Sequence, residues 1–368
     1  MLTTTHRVFS ADARDLGAID DGSAALVVTS PPYPMVAMWD ATFSAFDPEI
    51  ARALAQEDGP AAFEAMHAAL DQVWSECFRL LRPGGLACIN IGDATRSLAG
   101  RFQLYPNHAR ILMGLMAAGF SPLPDILWRK PTNAPNKFMG SGMLPPGAYV
   151  TYEHEYVLIA RKGAPRAFPE PADKALRRRS AYFWEERNAW FSDLWEGLPG
   201  ARQAAPKADR ARSAAFPFAL PYRLICMYSV QGDVVLDPFA GTGTTLAAAL
   251  AAGRSSLGVE HDPSFVPIIE DALEAAVGLG QAEARRRLAS HRAFVEDRLA
   301  LGRTLKHRNA NHDVSVITGQ EGALTLLAPL GSRVGPDGVR VAEHVRLEEL
   351  PVEADVCPDA DPRQLRLL

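Results

Sequence analysis

Residues Val234–Thr245 have the sequence VVLDPFAGTGTT, and this stretch decides the fold class. Its apolar start, Val234-Val235-Leu236, predicts a short buried strand. Gly241 and Gly243 follow in a turn that leads into a helix predicted over Leu246–Ala252. Because glycine lets the backbone turn tightly and approach a ligand closely, this strand-turn-helix unit indicates a binding loop at the end of a strand.

The residues after the glycines narrow the class of ligand. A second strand is predicted over Ser256–Val259, and Glu260 at its end is placed to accept hydrogen bonds from ribose hydroxyl groups. No Gly-Lys-Ser or Gly-Lys-Thr follows the glycines, so a P-loop is excluded, and Leu246 stands where a dinucleotide loop has its third glycine. These features favour a nucleoside without phosphate, such as S-adenosyl-L-methionine. The alternative is a tight turn that binds no ligand.

A second informative stretch, Thr29-Ser30-Pro31-Pro32-Tyr33, directly follows the apolar run Ala24–Val28. It predicts a strand that stops in a rigid, extended turn, because proline fixes its own backbone and restricts the residue before it. The turn would bring a hydroxyl group, a carbonyl group and an aromatic ring to the sheet edge, where they could hold a flat polar ring. On this stretch alone, a simple strand-ending loop is an open alternative.

Apolar runs and helical patterns alternate from residue 8 to residue 262. The helices predicted before the glycine loop cover Pro60–Leu81, His108–Gly119 and Phe216–Tyr228. The further strands predicted between them cover Leu86–Ile91, Pro124–Trp128 and Glu155–Ala160. This alternation predicts an α/β fold with a mostly parallel sheet covered by helices on both faces.

Composition excludes several classes of protein. The 368 residues carry a net charge of −5, so the chain does not coat nucleic acid through overall charge. No stretch approaches the roughly 20 apolar residues of a membrane span, and the first ten residues lack a signal-peptide core, so we expect a cytoplasmic protein with no membrane partner. The 4 cysteines are widely separated, which predicts reduced thiols and no metal site.

The segment from Arg161 to Arg212 differs from the rest of the chain. It has 12 basic residues against 7 acidic ones, in a chain that is acidic overall. Aromatic residues are interleaved with these charges, namely Tyr182, Phe183, Trp184, Trp190, Phe191 and Trp195. Such a mixture suits phosphate contacts and base stacking, whereas the alternative is an irregular insertion with solvated arginines.

The two stretches together resemble the amino-group DNA methyltransferases of bacterial and archaeal modification systems. Ser30-Pro31-Pro32-Tyr33 matches the catalytic motif of that family, and Asp237–Thr244 matches its cofactor motif. Because the catalytic motif comes first, the order resembles the β permutation class. The resemblance implies a fold with a circularly permuted, Rossmann-like sheet. It also implies a nucleoid-associated enzyme that uses S-adenosyl-L-methionine to methylate double-stranded DNA. A cognate restriction endonuclease that acts separately is a candidate partner, and the oligomeric state stays open.

The resemblance also assigns roles to residues. Besides the catalytic residues Ser30, Pro31, Pro32 and Tyr33, it implies cofactor contacts by Asp12, Thr29, Phe216, Pro217, Asp237, Pro238, Phe239, Gly241, Gly243, Thr244 and Glu260. The DNA contacts expected from the basic residues are Lys130, Lys137, Arg177, Arg178 and Arg179. Within these sets, Glu260 would hold the ribose, Asp237 would orient the loop or contact the methionine amino group, and Phe216-Pro217 would close over the methionine part.

The expected reaction follows from the target. An exocyclic amino group is a poor nucleophile until hydrogen-bond acceptors, here the Ser30 hydroxyl and the Pro31 carbonyl, bind its protons. Tyr33 would stack on the base after it has flipped out of the duplex. Serine at position 30 resembles enzymes that act on the 4-amino group of cytosine. Methylation of the 6-amino group of adenine is the alternative, and an inactive DNA-binding protein or an enzyme for RNA or a small molecule stays open.

Four segments are expected from this interpretation. They are a catalytic half (1–160), a target-recognition insertion (161–212), a cofactor-binding half (213–270) and a small appended α+β unit (271–368). Near the C-terminus, two helices are predicted over Phe265–Gly278 and Ala282–Leu301, separated by the glycines at 278 and 280. Short strands are predicted over Val314–Thr318, Leu324–Leu327 and Val339–Leu347.

Overall fold

The computed structural model describes residues 1–130, 139–198 and 216–351, so Lys137 and residues 199–212 of the basic segment lie outside the described residues. The strands are β1 (Leu2–Ser10), β2 (Ala24–Thr29), β3 (Leu81–Ile91), β4 (Ala94–Leu98), β5 (Arg101–Tyr105), β6 (Phe120–Pro122), β7 (Ile126–Arg129), β8 (Met139–Gly140), β9 (Ala148–Tyr149), β10 (His154–Lys162), β11 (Leu194–Trp195), β12 (Val234–Asp237), β13 (Ser255–Glu260), β14 (His307–Asn309), β15 (Val314–Val316), β16 (Leu327–Val334) and β17 (Arg340–Arg346). The α-helices are α1 (Asp40–Phe46), α2 (Pro48–Ala55), α3 (Gly59–Leu80), α4 (Asn107–Ala117), α5 (Pro171–Arg179), α6 (Trp184–Trp190), α7 (Ala219–Tyr228), α8 (Thr244–Ala251) and α9 (Val266–Ala300).

A single large sheet organises these elements. Its strand order is β11-β7-β10-β3-β2-β12-β13-β1-β17-β16, and β6 pairs with β10 beside this path. The five central strands, from β3 to β1, run parallel to one another. Antiparallel strands flank them on both sides, with β10 against β3 and β17 against β1. The α/β class predicted from the sequence is therefore confirmed.

The central strands are buried on both faces. Val27 of β2 packs in the cluster that includes Leu70 and Trp74 of α3, whereas Leu26 and Val28 pack in the cluster that includes Leu224 of α7. All six residues of β2 are buried. A strand covered by helices on both sides needs apolar side chains at successive positions, which explains the continuous apolar run at residues 24–28.

Two strands that are far apart in sequence lie side by side at the centre of the sheet. Strand β12 pairs in parallel with β2, where Val235 lies opposite Leu26 and Leu236 lies opposite Val27. The turn after β2 and the glycine loop after β12 therefore emerge at the same edge. Two motifs that are about 200 residues apart in the sequence are therefore brought together at one site.

The boundary predicted at residue 270 does not coincide with a break between elements, because the C-terminal region is joined to the sheet. Position 270 lies inside α9, and the hairpin of β16 and β17 extends the central sheet through the pairing of β17 with β1. The boundary expected after residue 160 likewise falls inside β10. Of the strand predicted over Leu324–Leu327, only Leu327 is extended, as the first residue of β16.

The two helices predicted near the C-terminus are one continuous helix, α9, of 35 residues. Gly280 does not interrupt it, because a glycine costs a helix only about 1 kcal/mol and packing can offset this. A Cβ atom at Gly280 would lie 2.8 Å from Pro329 Cγ and 2.9 Å from Ala251 Cα. The glycine therefore lets α9 approach α8 and β16 closely.

The segment Arg82-Pro83-Gly84-Gly85 lies within β3. Between Ala24 and Leu26 of β2, the pairing with β3 jumps from Leu81 to Leu86, so the extra residues form a bulge.

Among the described residues, no helix is long and apolar enough to cross a membrane.

Candidate active site

A cavity of about 370 Å³ opens at the carboxyl edge of the parallel strands. Four of the chain segments that line it lie at or directly after the end of a strand, β1, β2, β12 or β13. These segments are 11–14, 30–33, 237–242 and 260–262. Ligands of open parallel sheets bind at this edge, so the fold itself places the site here.

The turn after β2 lies at the cavity wall. Pro31 and Pro32 are buried, and Ser30 and Tyr33 are half-buried. Met35 adopts a φ of 66°, which is unusual for a residue other than glycine and turns the chain away directly after the motif. The predicted rigid turn is therefore present, and its hydroxyl group and ring border the cavity.

The hydroxyl group of Tyr33 is the centre of a hydrogen-bond network. It lies 3.2 Å from Ser30 Oγ, 3.0 Å from Asn90 Nδ2 and 3.1 Å from Glu155 Oε2. Lys130 Nζ lies 2.9 Å from Glu155 Oε1. Sequence reasoning did not single out Asn90 or Glu155, although a polar residue within the buried run of β3 is a signal that could have identified Asn90.

Asp237 ends β12 and is buried under the glycine loop. Its Oδ1 accepts hydrogen bonds from Thr29 Oγ1 at 2.6 Å and from Phe239 N at 3.0 Å. Burial raises the pKa of the Asp237 carboxyl to about 6, although these hydrogen bonds act in the opposite direction. The loop conformation therefore depends on a carboxylate that is held away from water.

The two glycines of the loop have different surroundings. Gly241 has a φ of 51°, lines the cavity and has only Phe239 O, at 3.9 Å, near an added Cβ. Gly243 has a φ of 82° and caps α8, where an added Cβ would lie 3.0 Å from Ile269 Cγ2. Gly241 therefore keeps the cavity open, whereas Gly243 allows α9 to pack behind the loop.

Glu260 closes the far side of the cavity. Its Oε2 accepts a hydrogen bond from Gly241 N and its Oε1 accepts one from Asp262 N, both at 2.9 Å. Burial raises the pKa of the Glu260 carboxyl. The carboxylate thus joins the glycine loop to the end of β13 and lies where the sequence predicted a ribose contact.

Asp12 and Phe216, for which the resemblance implies cofactor contacts, also border the cavity. Asp12 forms an ion pair with Arg14 at 2.6 Å, which lowers the pKa of its carboxyl. The Arg14 guanidinium lies over the Phe46 ring at 4.5 Å from its centroid. Arg14 therefore fixes the Asp12 carboxylate at the cavity rim.

Of the other predicted cofactor residues, Pro238, Phe239 and Thr244 line the cavity. Thr29 and Pro217 are not among the residues that line it. Thr29 is buried and directs its hydroxyl to Asp237, and the Pro217 carbonyl accepts a hydrogen bond from Leu220 N at the start of α7. Their expected contact with the cofactor stays a prediction.

The predicted DNA contacts separate into two groups. Lys130 lies at the carboxyl edge beside Glu155. Arg177, Arg178 and Arg179 end α5, which lies at the opposite edge of the sheet. The carbonyl of Arg179 accepts a hydrogen bond from Thr325 N, and Ser180 Oγ accepts one from Gln231 N, just before β12 begins. The structure therefore does not bring these arginines to the cavity.

The aromatic residues of the basic segment are mostly core residues. Phe183, Trp190 and Trp195 are 0 %, 5 % and 2 % exposed. Trp195 Nε1 donates a hydrogen bond to the Trp190 carbonyl, and both rings pack with α7 residues against the sheet. These three rings cannot stack on DNA bases, so the expectation drawn from their sequence pattern is wrong for them.

The residues around the cavity fit S-adenosyl-L-methionine. The Glu260 carboxylate suits ribose hydroxyl groups, the Asp237 carboxylate suits an ammonium group, and Phe239 and Val259 offer apolar surface to a base ring.

Among the described residues, no cluster of side chains could hold a metal ion. Burial raises the thiol pKa values of Cys77, Cys88 and Cys226, which do not line the cavity, so none of these three is a nucleophile of the site.

Comparisons with known proteins agree with this geometry. The N6/N4 methyltransferase family model, described as DNA methylase, matches residues 24–271. The type II methyltransferase M.MthZI of Methanothermobacter thermautotrophicus is 48% identical over 330 residues, which cover 89% of this chain and 92% of that protein. The type II methyltransferase M.MjaI of Methanocaldococcus jannaschii is 50% identical over 281 residues, which cover 73% of this chain and 91% of that protein.

Solved structures share the fold. A DNA modification methylase of Thermus thermophilus, solved in complex with S-adenosyl-L-methionine, is 34% identical, with a TM-score of 0.58 over 74% of this chain and 95% of that chain. The cytosine-N4-specific PvuII DNA methyltransferase has a TM-score of 0.52 at 17% identity over 74% of this chain and 87% of that chain, a likeness of fold. The chain is therefore a member of the N6/N4 DNA methylase family, whose members transfer a methyl group from S-adenosyl-L-methionine to DNA.

Proposed function

We propose that this enzyme methylates the exocyclic 4-amino group of a flipped cytosine in duplex DNA. The observation that carries the proposal is the turn Ser30-Pro31-Pro32, which borders the cavity. Proline has no backbone N–H, so Pro31 and Pro32 present carbonyl acceptors without competing donors. Beside the Ser30 hydroxyl, this surface complements an amino group, which offers two N–H donors, better than a keto oxygen.

The turn activates the target nitrogen through these acceptors. The lone pair of an exocyclic amino group is delocalised into the base ring, so the nitrogen becomes nucleophilic only as its geometry becomes pyramidal. Ser30 Oγ and the Pro31 carbonyl favour that geometry by accepting the two amino protons, and they are held in place before the reaction begins. The Tyr33 ring supports the base by stacking, after the base has left the duplex.

The cofactor is held on the opposite side of the same cavity. S-adenosyl-L-methionine supplies a methyl group on a positively charged sulfur. Glu260 would bind the ribose hydroxyl groups, Asp237 would accept from the methionine ammonium group, and Phe239 and Gly241 would form the wall. Transfer then depends mainly on the positioning of the two partners by chain segments that end on neighbouring strands.

The choice of cytosine rests on Ser30. Serine at this position resembles the cytosine-N4 enzymes of the family, whereas aspartate or asparagine is more usual for adenine. The family includes both activities, so adenine N6 is the second candidate. Both targets present the same two N–H donors to the turn, so identification of the methylated product decides between them.

Identification of the methylated nucleoside tests this proposal. Duplex DNA is incubated with the enzyme and S-adenosyl-L-methionine carrying a labelled methyl group, then digested and separated by liquid chromatography with mass detection. We expect the label in N4-methylcytosine. Label found only in N6-methyladenine would contradict the proposal, and a preference for RNA in a competition assay would contradict the choice of duplex DNA.

We further propose that the modification protects DNA from a separate restriction endonuclease. Two archaeal relatives are named type II methyltransferases, which supports this assignment. Plasmid DNA from cells that express the chain should resist endonucleases that cut at its methylated sequence. Digestion at an unchanged rate, with N4-methylcytosine present at that sequence, would contradict a protective role.

A further inference from the structure

The Tyr33 hydroxyl group connects Ser30 to a carboxylate outside the two motifs described above. Ser30 Oγ lies 3.2 Å from Tyr33 Oη, which lies 3.1 Å from Glu155 Oε2. Glu155 lies on β10, the antiparallel neighbour of β3. Its side chain is 13 % exposed and lies beside the turn after β2, although 122 positions separate it from Tyr33 in the sequence.

The chemistry of the groups fixes the direction of each hydrogen bond. An ionised carboxylate only accepts, so the Tyr33 hydroxyl donates to Glu155. Burial, reinforced by the nearby Glu155 charge, raises the Tyr33 pKa well above its ordinary value, so the phenol keeps the proton that it donates. The Tyr33 oxygen is then left as an acceptor, and it accepts from Ser30 Oγ and from Asn90 Nδ2.

Two further contacts hold the Glu155 carboxylate where it accepts the hydrogen bond from the Tyr33 hydroxyl group. Lys130 Nζ lies 2.9 Å from Glu155 Oε1, and Asn90 Nδ2 donates to Glu155 Oε2 at 2.8 Å. The Lys130 ammonium group thus places the opposite charge directly beside the Glu155 carboxylate. Gly92 adds close packing, because a Cβ atom there would lie 3.1 Å from Tyr33 Cε2 and 3.3 Å from Glu155 Cγ.

We propose that Glu155 is a positioning residue for methyl transfer, which acts through Tyr33 to point the Ser30 hydroxyl hydrogen away from the cavity. The Ser30 oxygen then presents lone pairs to the target amino group, as the proposed mechanism requires. A free serine hydroxyl can rotate and donate, which would favour a keto oxygen over an amino group. Glu155 thereby sets the polarity of the surface that selects the amino group.

A double-mutant cycle tests this chain of contacts. The variants are Glu155→Gln, Tyr33→Phe and the double variant, and the measurement is the single-turnover rate of methyl transfer at saturating cofactor and DNA. Each single change breaks the chain of hydrogen bonds that runs from Glu155 through Tyr33 to Ser30. We expect each to lower the rate roughly tenfold, which corresponds to the free energy of one lost hydrogen bond. The double variant should be no more than about twofold slower than the slower single variant, because both changes break the same chain.

Two results would contradict this proposal. A double variant that is slower by the product of the two effects, roughly a hundredfold, would show that Glu155 acts independently of Tyr33. An unchanged rate for Glu155→Gln would also overturn the proposal. The matched control is Glu153→Gln, two residues earlier and paired with Arg129 at 3.7 Å, which should keep the wild-type rate.

A second cycle keeps the test valid if Glu155→Gln lowers stability. Tyr33→Phe removes only one oxygen, and its effect should disappear when it is combined with Ser30→Ala. Cofactor affinity should stay constant across both cycles, whereas a merely structural role would change it. Failure of these cycles leaves the identity of the methylated nucleoside unaffected, so this proposal and the proposed function can fail separately.

Discussion

Thr29 donates its hydroxyl hydrogen to Asp237 Oδ1 at 2.6 Å, across 208 positions of sequence. Thr29 is the last residue of β2 and Asp237 is the last residue of β12, and both side chains are buried. This contact joins the turn proposed to hold the target base to the loop proposed to hold the cofactor. The two halves of the site are therefore set relative to each other by one hydrogen bond as well as by strand pairing.

Replacement of Thr29 tests this link. Thr29→Val keeps the shape but leaves the buried Asp237 carboxylate without one donor, so we expect a loss of roughly 1–3 kcal/mol in the free energy of unfolding and weaker cofactor binding. Chemical denaturation and calorimetric titration measure the two effects. Thr29→Ser, which keeps the hydroxyl group, should retain both properties, and equal behaviour of the valine and serine variants would contradict the role.

Cofactor affinity should depend on pH through Asp237. Its pKa is about 6 in the free protein, and only the ionised carboxylate attracts the methionine ammonium group. Lowering the pH from 7 to 5 protonates the carboxyl, so the dissociation constant for S-adenosyl-L-methionine should rise by about tenfold. Asp237→Asn should bind weakly with little pH dependence, and an unchanged affinity of the wild type at pH 5 would exclude this contact.

The same carboxyl should affect stability in the opposite sense. Its folded-state pKa of about 6 lies above the ordinary value of 3.8, so the folded protein binds the proton more tightly. The contribution, about 3 kcal/mol from the size of this shift, is present below pH 4 and is lost as the pH rises to about 6. Unfolding of the cofactor-free protein between pH 4 and 7, compared with Asp237→Asn, measures this loss, and parallel curves for the two proteins would contradict it.

The glycines of α9 should respond differently to alanine. At Gly280, a Cβ atom would press against Pro329 and the Ala251 backbone, so Gly280→Ala should destabilise the protein by roughly 1–3 kcal/mol. Gly278 is exposed and has no atom near an added Cβ, so Gly278→Ala should stabilise by about 0.5–1 kcal/mol. Thermal unfolding of both variants measures the difference, and destabilisation of similar size at both sites would argue against close packing at Gly280.

The position of the site predicts which surface meets DNA. The rings of Phe102 and Tyr149 stack at 4.8 Å, are 38 % and 49 % exposed, and lie on hairpins, the first of which directly follows β3 at the carboxyl edge. Phe102→Ala should raise the KM for duplex DNA on the order of tenfold, as the loss of a stacking ring would. Replacement of Arg177, Arg178 and Arg179 together by glutamine should leave this KM unchanged, and the reverse result would place DNA at the α5 edge.

The sequence patterns predicted those features that depend on local chemistry. The apolar runs at residues 24–28 and 234–236 marked the central strands, and the glycines after Asp237 marked the loop at the cavity. The two prolines at positions 31 and 32 also predicted the turn after Thr29. Each of these features is determined by neighbours in the chain, which is why a pattern of a few residues carries the information.

Features that depend on distant contacts could not be predicted in this way. Gly280 resembled a helix end, because the sequence does not reveal that Pro329 packs against it. Trp190 and Trp195 resembled DNA-stacking rings, because their pattern does not distinguish a buried aromatic residue from an exposed one. Nothing in the sequence indicated a role for Glu155, since that role depends on the contact of its side chain with the Tyr33 hydroxyl group on another segment of the chain.

Mapping of methylated bases in a genome tests the central claim most directly. The chain is expressed in a host that lacks its own DNA methylation, and modified positions are read across the chromosome, with Ser30→Ala as the control. We predict N4-methylcytosine at one recurring short sequence, and its loss in the control although the variant still binds S-adenosyl-L-methionine. Methylation confined to adenine, or an unchanged pattern in the Ser30→Ala strain, would contradict the claim.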